Sequence, residues 1–260
     1  MRVITVPLKP EKWQTDLMYK RMNLCGSLYN RLADEKERAY HRLLEDIEYR
    51  VAINTINSIY ELPENDREKQ KRTPAYKYAI KTQAKKHQEY GFTAYSFMGR
   101  AMEMASDEQY KKIIPTRVAS YTIGKPLWIS FSRYIFHRSV GIKRKALGEQ
   151  SSVTSDGRSG IRLLYEKGGA QRNGVDTHEQ LYIQYGKSTG KRILRIPVNV
   201  NGNDKYFEKY LAYPMQRISI VKYKTKSGKD GLIAKILVDD SRGMCLESPR
   251  IDQNEISSAE

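Results

Sequence analysis

Arg2-Val-Ile-Thr-Val-Pro-Leu8 opens the chain as a short β-branched run ending near a proline, the composition of a strand. For more than a hundred residues after it the pattern is helical, and strand texture returns only past Gly148. A lone strand does not stay unpaired. The sequence therefore predicts that the first strand joins the C-terminal strands and that the helices are an insertion. The predicted class is α+β, a β-barrel-like domain interrupted by an α-helical block. The expected boundaries are 1–10 for the first strand, 11–147 for the helices, 148–245 for the remaining strands and 246–260 for a flexible acidic tail.

Outward from the first strand, Lys9-Pro10-Glu11 starts a helix with proline and an acid in its first turn. Trp13, Leu17, Met22, Cys25, Leu28 and Leu32 recur at the spacing of one helix face, and Leu43, Ile47, Val51 and Ile56 continue it. Gly26 and the segment Asn54–Asn57 are the expected weak points. Leu62–Glu68 is charged and turn-rich and reads as a loop. Helices are expected at about 74–88, 93–105 and 115–140, with Pro126 kinking or breaking the third. Ser151–Ser159 reads as a loop. Gly160–Tyr165, Gln180–Tyr185 and Arg192–Val200 read as strands, Asp204–Leu211 as a short helix, and Ile218–Tyr223 with Gly231–Asp239 as a hairpin.

Composition narrows the function. The 19 Tyr, 5 Phe and 2 Trp among 260 residues exclude disorder throughout. No run approaches the roughly 18 apolar residues of a membrane span, and the N-terminus has no hydrophobic leader. A cytoplasmic protein with no membrane partner is expected. Cys25 and Cys245 lie far apart and outside any C-x-x-C pair, which excludes a disulfide scaffold and a cysteine-built zinc site. His41, His87, His137 and His178 each stand alone, and no H-E-x-x-H, G-x-S-x-G or Walker loop occurs. Asp239-Asp240 closes a strand without the companion carboxylates that two-metal chemistry needs. No catalytic residue, metal ligand or cofactor is assigned.

Charge is the strongest signal. The formal net charge is +16, and between Lys69 and Lys145 there are 17 Lys/Arg against 4 acids. A polyanion that neutralises this block would relieve its self-repulsion, and nucleic acid is the natural one. Lys77, Lys81 and Lys85 form an i, i+4, i+8 stripe, preceded by Lys71 and Arg72. Further along lie Arg117, then Arg133 and Arg138 beside Trp128, Phe131 and Ile135, then Lys143-Arg144-Lys145. The three apolar side chains share a helix face and are expected in the core. Nothing in the block reads a specific base, so recognition by shape and charge is expected.

Together these segments resemble the N-terminal half of TnpB-like transposon nucleases and of small type V CRISPR effectors. Leu8-Lys9-Pro10 is similar to the family's opening motif, and Tyr29-Asn30 to the "Y-N" pair of its first long helix. Tyr90-Gly-Phe-Thr-Ala-Tyr95, Val118–Arg138, Gly141–Lys145, Gly160-Ile-Arg162 and Lys191–Pro197 resemble later motifs in the same order, and Ile218–Val238 resembles the hairpin before the nuclease domain.

The resemblance implies a wedge-like β-barrel with an inserted recognition lobe, both holding a guide-RNA scaffold and a guide–target heteroduplex. Guide RNA and target DNA are the implied partners, in a prokaryotic cytoplasm and at the nucleoid when DNA is bound. Tyr29, Asn30, Arg162 and Arg192 join the candidate contacts on this ground. The family's RuvC-like motifs and four-cysteine zinc element do not occur in these residues. The expectation is a recognition module without its own nuclease centre, whether naturally split, degenerate or truncated. Two alternatives stay open. One is half of a split, metal-dependent endonuclease completed by a RuvC-like partner chain, with Mg²⁺ needed only then; a second copy of the chain is a further possible partner. The other is an RNA-independent DNA-binding regulator.

Overall fold

A computed structural model describes residues 1–135, 141–157, 159–166, 180–186, 193–199, 213–224 and 228–241. The fold is α+β. Strand β1 (Arg2–Pro7) is followed by helices α1 (Lys12–Glu45), α2 (Ile47–Tyr60), α3 (Glu64–Gln70), α4 (Pro74–Glu89), α5 (Ala94–Ser106), α6 (Thr116–Ala119) and α7 (Lys125–Ile135). Strands β2 (Ser152–Ser155), β3 (Ile161–Glu166), β4 (Gln180–Tyr185), β5 (Leu194–Pro197), β6 (Met215–Lys224) and β7 (Asp230–Val238) complete it. Among the described residues no helix is long and apolar enough to cross a membrane.

The first strand pairs with the last. β1 runs antiparallel to β7 from Arg2↔Val238 to Pro7↔Ile233, in a four-stranded sheet ordered β1-β7-β6-β2. Its period-2 pattern explains why: Ile4, Val6 and Leu8 are buried while Val3, Thr5 and Pro7 face outward. Past Pro7 the chain crosses to the second sheet, β3-β4-β5, through the bridge Leu8↔Val198. Lys9 N–H donates to Pro197 O at 2.8 Å, and Asn199 N–H to Pro7 O at 2.9 Å. The two sheets thus meet at β1. The described strands do not close into a barrel.

Helices and sheets share one continuous apolar core. Its centre is aromatic, with Phe97 and Phe131 5.3 Å apart and Phe92 and Phe131 5.8 Å apart, and with Trp128 packed on Phe97 at 5.5 Å. Phe131 and Ile135 are buried and Trp128 is half-buried, as their shared helix face predicts.

Several local readings are corrected. α1 runs straight through Gly26 and breaks at Asp46, whose side chain accepts Tyr49 N–H at 3.0 Å and caps α2 instead. The charged loop expected at 62–68 is helix α3. Its acids Glu64 and Asp66 sit in the first turn and its bases Arg67 and Lys69 in the last, complementing the helix dipole. Ser151–Ser159 contains strand β2, hidden because a buried position is occupied by Ser155.

Pro126 does not break its helix. The ring would collide with the carbonyl four residues back, and a π turn over Ser120–Gly124 widens the helix first, with Lys125 N–H bonded to Ser120 O. In that turn the Thr122 hydroxyl donates to Thr154 O at 3.2 Å and accepts Thr154 N–H at 2.8 Å, tying the helix to β2. A Cβ at Gly124 would fall 2.6 Å from Met98 Cα, so only glycine lets α5 cross so closely. The predicted helix Asp204–Leu211 and the tail 246–260 lie outside the described residues.

Candidate nucleic-acid interface

Helices α2, α3 and α4 form an arm that buries little. Its apolar contact is a cluster of Ala52, Ile56 and Ala79 with Tyr76 against it, separate from the main core. Ala79 is the only buried residue of α4. Polar ties hold the base of the arm. Asp46 accepts from Lys86 Nζ at 3.0 Å and from Tyr90 Oη at 3.1 Å, and Lys86 also meets Glu48 at 2.7 Å and Glu89 at 3.4 Å. The Tyr49 N–H, then Lys86, hold the Asp46 carboxyl below its usual range. Lys36 Nζ donates to Gly91 O at 3.0 Å, fixing the turn after α4. Burial lowers the pKa of Lys36.

Because α4 packs through Ala79, its opposite face is open. At 100° per residue Lys77, Lys81 and Lys85 point away from Ala79, and all three are exposed. Among the described residues only Lys85 of the three has an ion-pair partner, Glu89 at 3.5 Å, and it stays mostly exposed. Tyr78, 74% exposed, stands on the same face at i+3 and i+7 from Lys81 and Lys85. Sequence reasoning missed Tyr78, although helical projection alone puts it beside the lysines. Arg72, just before the helix, is exposed and has no ion-pair partner among the described residues. Lys71 pairs with Glu68 at 2.8 Å and lies over the Tyr60 ring.

The second basic segment is bound into the fold. Arg144 meets Asp34 at 2.8 Å and Glu37 at 2.6 Å, both on α1, and Lys143 meets Glu149 at 2.7 Å. Lys145 Nζ lies 5.6 Å from the centre of the Tyr29 ring. Asn30 clamps the backbone beneath: its Nδ2 donates to Lys145 O and its Oδ1 accepts Lys145 N–H, both at 2.8 Å. Tyr29 is buried, and burial pushes its pKa up. In this structure Tyr29 and Asn30 hold the 141–150 segment on α1.

The remaining candidates are dispersed. Arg133 is exposed on α7 without an ion-pair partner among the described residues. Arg117 lies 3.9 Å from Asp156. Arg162 is on β3. Arg138 and Arg192 lie outside the described residues, as do His137, His178 and Cys245. Both aspartates at the end of β7 have structural partners. Asp239 is buried and accepts the Ser241 hydroxyl at 2.5 Å, and Asp240 takes the N-terminal ammonium at 2.6 Å. Among the described residues no group of three or more His, Cys, Asp or Glu converges on a metal-sized site. Cys25 is fully buried, which pushes its thiol up to about 12 and keeps it protonated. No known family profile matches the chain, and no curated protein matches it.

Proposed function

We propose that this chain is a guide-RNA-binding, RNA-guided DNA-recognition module without a nuclease centre of its own. On this reading the two bridged sheets are a barrel-like wedge, and the helices between β1 and β2 are the recognition lobe. The observation that supports it most is the outward face of α4. Three lysines and an exposed tyrosine share that face, and among the described residues one carboxylate, that of Glu89, pairs with them, 3.5 Å from Lys85. Such a stripe tracks a phosphate backbone by charge and leaves sequence reading to base pairing, as RNA-guided proteins do.

The test has two parts. Nucleic acid that co-purifies with the protein from its host is sequenced, and a discrete RNA species is expected. Binding of that RNA is then titrated against salt. Engagement of about eight phosphates gives a slope of roughly −5 to −7 in log K against log salt. A slope near −1 overturns the reading. Equal affinity for duplex DNA with no RNA in the preparation turns it toward the DNA-binding regulator.

A further inference from the structure

The small sheet presents a second surface of a different kind. In β3, β4 and β5 the residues Ile161, Leu163, Ile183, Tyr185, Leu194 and Ile196 are buried in the core. Strand alternation puts the intervening residues on the opposite face. The register lines them up in two rows, Arg162–Gln184–Arg195 and Leu164–Tyr182–Pro197. At about 4.8 Å per strand the two arginine Cα atoms stand roughly 10 Å apart, and the second row lies about 7 Å further along the strands.

Arg162 is half-buried, its Nε is buried with no hydrogen-bond partner, and no described carboxylate lies within ion-pairing distance. A partly desolvated guanidinium without an anion is costly unless a ligand supplies one. Arg195, on the edge strand, is exposed. Its position is fixed by Gln14 Nε2, which donates to the Arg195 carbonyl at 2.8 Å. Tyr182 lies between an aliphatic side chain and a proline, all three half-buried.

We propose that this face is a subsite for a single-stranded segment of polynucleotide. Arg162 and Arg195 take phosphates, and Tyr182, between Leu164 and Pro197, takes one base by stacking. The proposal rests on the nucleic-acid reading above and assigns to the sheet the single-stranded part of what the α4 stripe holds. Cations that grip the backbone beside an aromatic ring that accepts any base are the chemistry of sequence-tolerant single-strand binding.

The test uses the full chain with labelled oligouridylate and oligothymidylate of about twelve nucleotides, which separate RNA from DNA as the source. Tyr182→Leu is expected to weaken at least one of them about tenfold. Arg162→Gln with Arg195→Gln is expected to cost a similar factor and to make the salt slope shallower by about 1.4, the loss of two single-strand phosphate contacts. A purely structural role leaves that slope unchanged. Melting curves accompany each variant, and Arg195→Gln, an exposed edge position, carries the test if Tyr182→Leu unfolds. Parent-like binding and slope in folded variants overturn the subsite while leaving the α4 interface intact. So does a parent that binds its co-purified RNA but neither oligomer. A parent that binds no nucleic acid at all overturns both.

Discussion

The two most basic segments, 77–85 and 143–145, look alike in sequence and are used differently by the fold. In the first, α4 buries one alanine, and its lysines point into solvent with, among the described residues, a single carboxylate 3.5 Å from one of them. In the second, Arg144 is held by two carboxylates of α1, Lys143 by Glu149, and the backbone of Lys145 by Asn30. The acids that neutralise Arg144 lie more than a hundred residues upstream, so a local count of charge cannot see them. Positive charge available to a ligand is what remains after the fold has paired its own.

The sharpest way to break this contrast is to remove each cluster. Changing Lys77, Lys81 and Lys85 to Ala should weaken RNA binding about 100-fold at low salt, from three charge-assisted contacts of ~1 kcal/mol each. The melting temperature should hold, because none of the three is buried. An affinity within threefold of the parent means that the stripe is only a solvated face. Binding titrations at one fixed salt concentration, with melting curves, decide it.

The matching change in the second segment should do the reverse. Asn30→Ala strips both partners from the Lys145 backbone and should cost about 2 kcal/mol, roughly 4–8 °C in melting temperature for a chain of this size. Arg144→Ala should cost less, about 0.5–1 kcal/mol, because the pair is partly solvated. Both variants, measured below their melting temperature, should bind RNA within threefold of the parent. A stable Arg144→Ala protein with a large affinity loss would show that Arg144 leaves its carboxylates to meet phosphate.

The sequence was most legible where one physical rule acted alone. The insertion topology followed from a β-branched run that needed a partner, and β1 pairs with β7. Helices α4 and α5 stand where helices were expected, at about 74–88 and 93–105, and the structure adds that the Thr73 and Thr93 side chains cap them. Legibility failed where two rules competed. Asp46 reads as an ordinary polar position inside a helical stripe, yet it ends one helix and caps the next. Pro126 announces a kink or a break, and the helix runs on past it after a π turn. At the candidate site the stripe itself was readable from i, i+4 spacing. The pairing of Arg144 and the clamp by Asn30 were not, since both depend on which distant segment the fold places alongside. The helical face shared by Tyr78 was readable, and its exposure follows only from the small contact that α4 makes.

The smallest expected effect separates the two segments by acidity. His87 is on the inner face of α4, with Nε2 3.3 Å from Tyr49 Oη and its ring 5.6 Å from that of Tyr49 and 6.4 Å from that of Phe92. Burial lowers its pKa from 6.5. The folded arm therefore favours the neutral ring, while the unfolded chain protonates first as the pH falls below about 6.5. Stability from this group is complete above that pH and is lost as the pH drops through the folded value. The loss should be no more than about 1 kcal/mol, since the ring is not fully shielded. Asp46, at the same base, is also held below its usual 3.8, so its contribution persists until far more acid conditions and does not overlap. His87→Gln keeps a hydrogen-bonding side chain for Tyr49 and removes the titration. Between pH 7.5 and 5.5 the parent should lose more melting temperature than this variant, and protection of α4 amides from hydrogen exchange should fall with it. The ion pairs of Arg144 involve no histidine, and the amides around 143–145 should show no change over the same interval. Parallel pH profiles for parent and His87→Gln would mean that the arm is held by its ionic base alone.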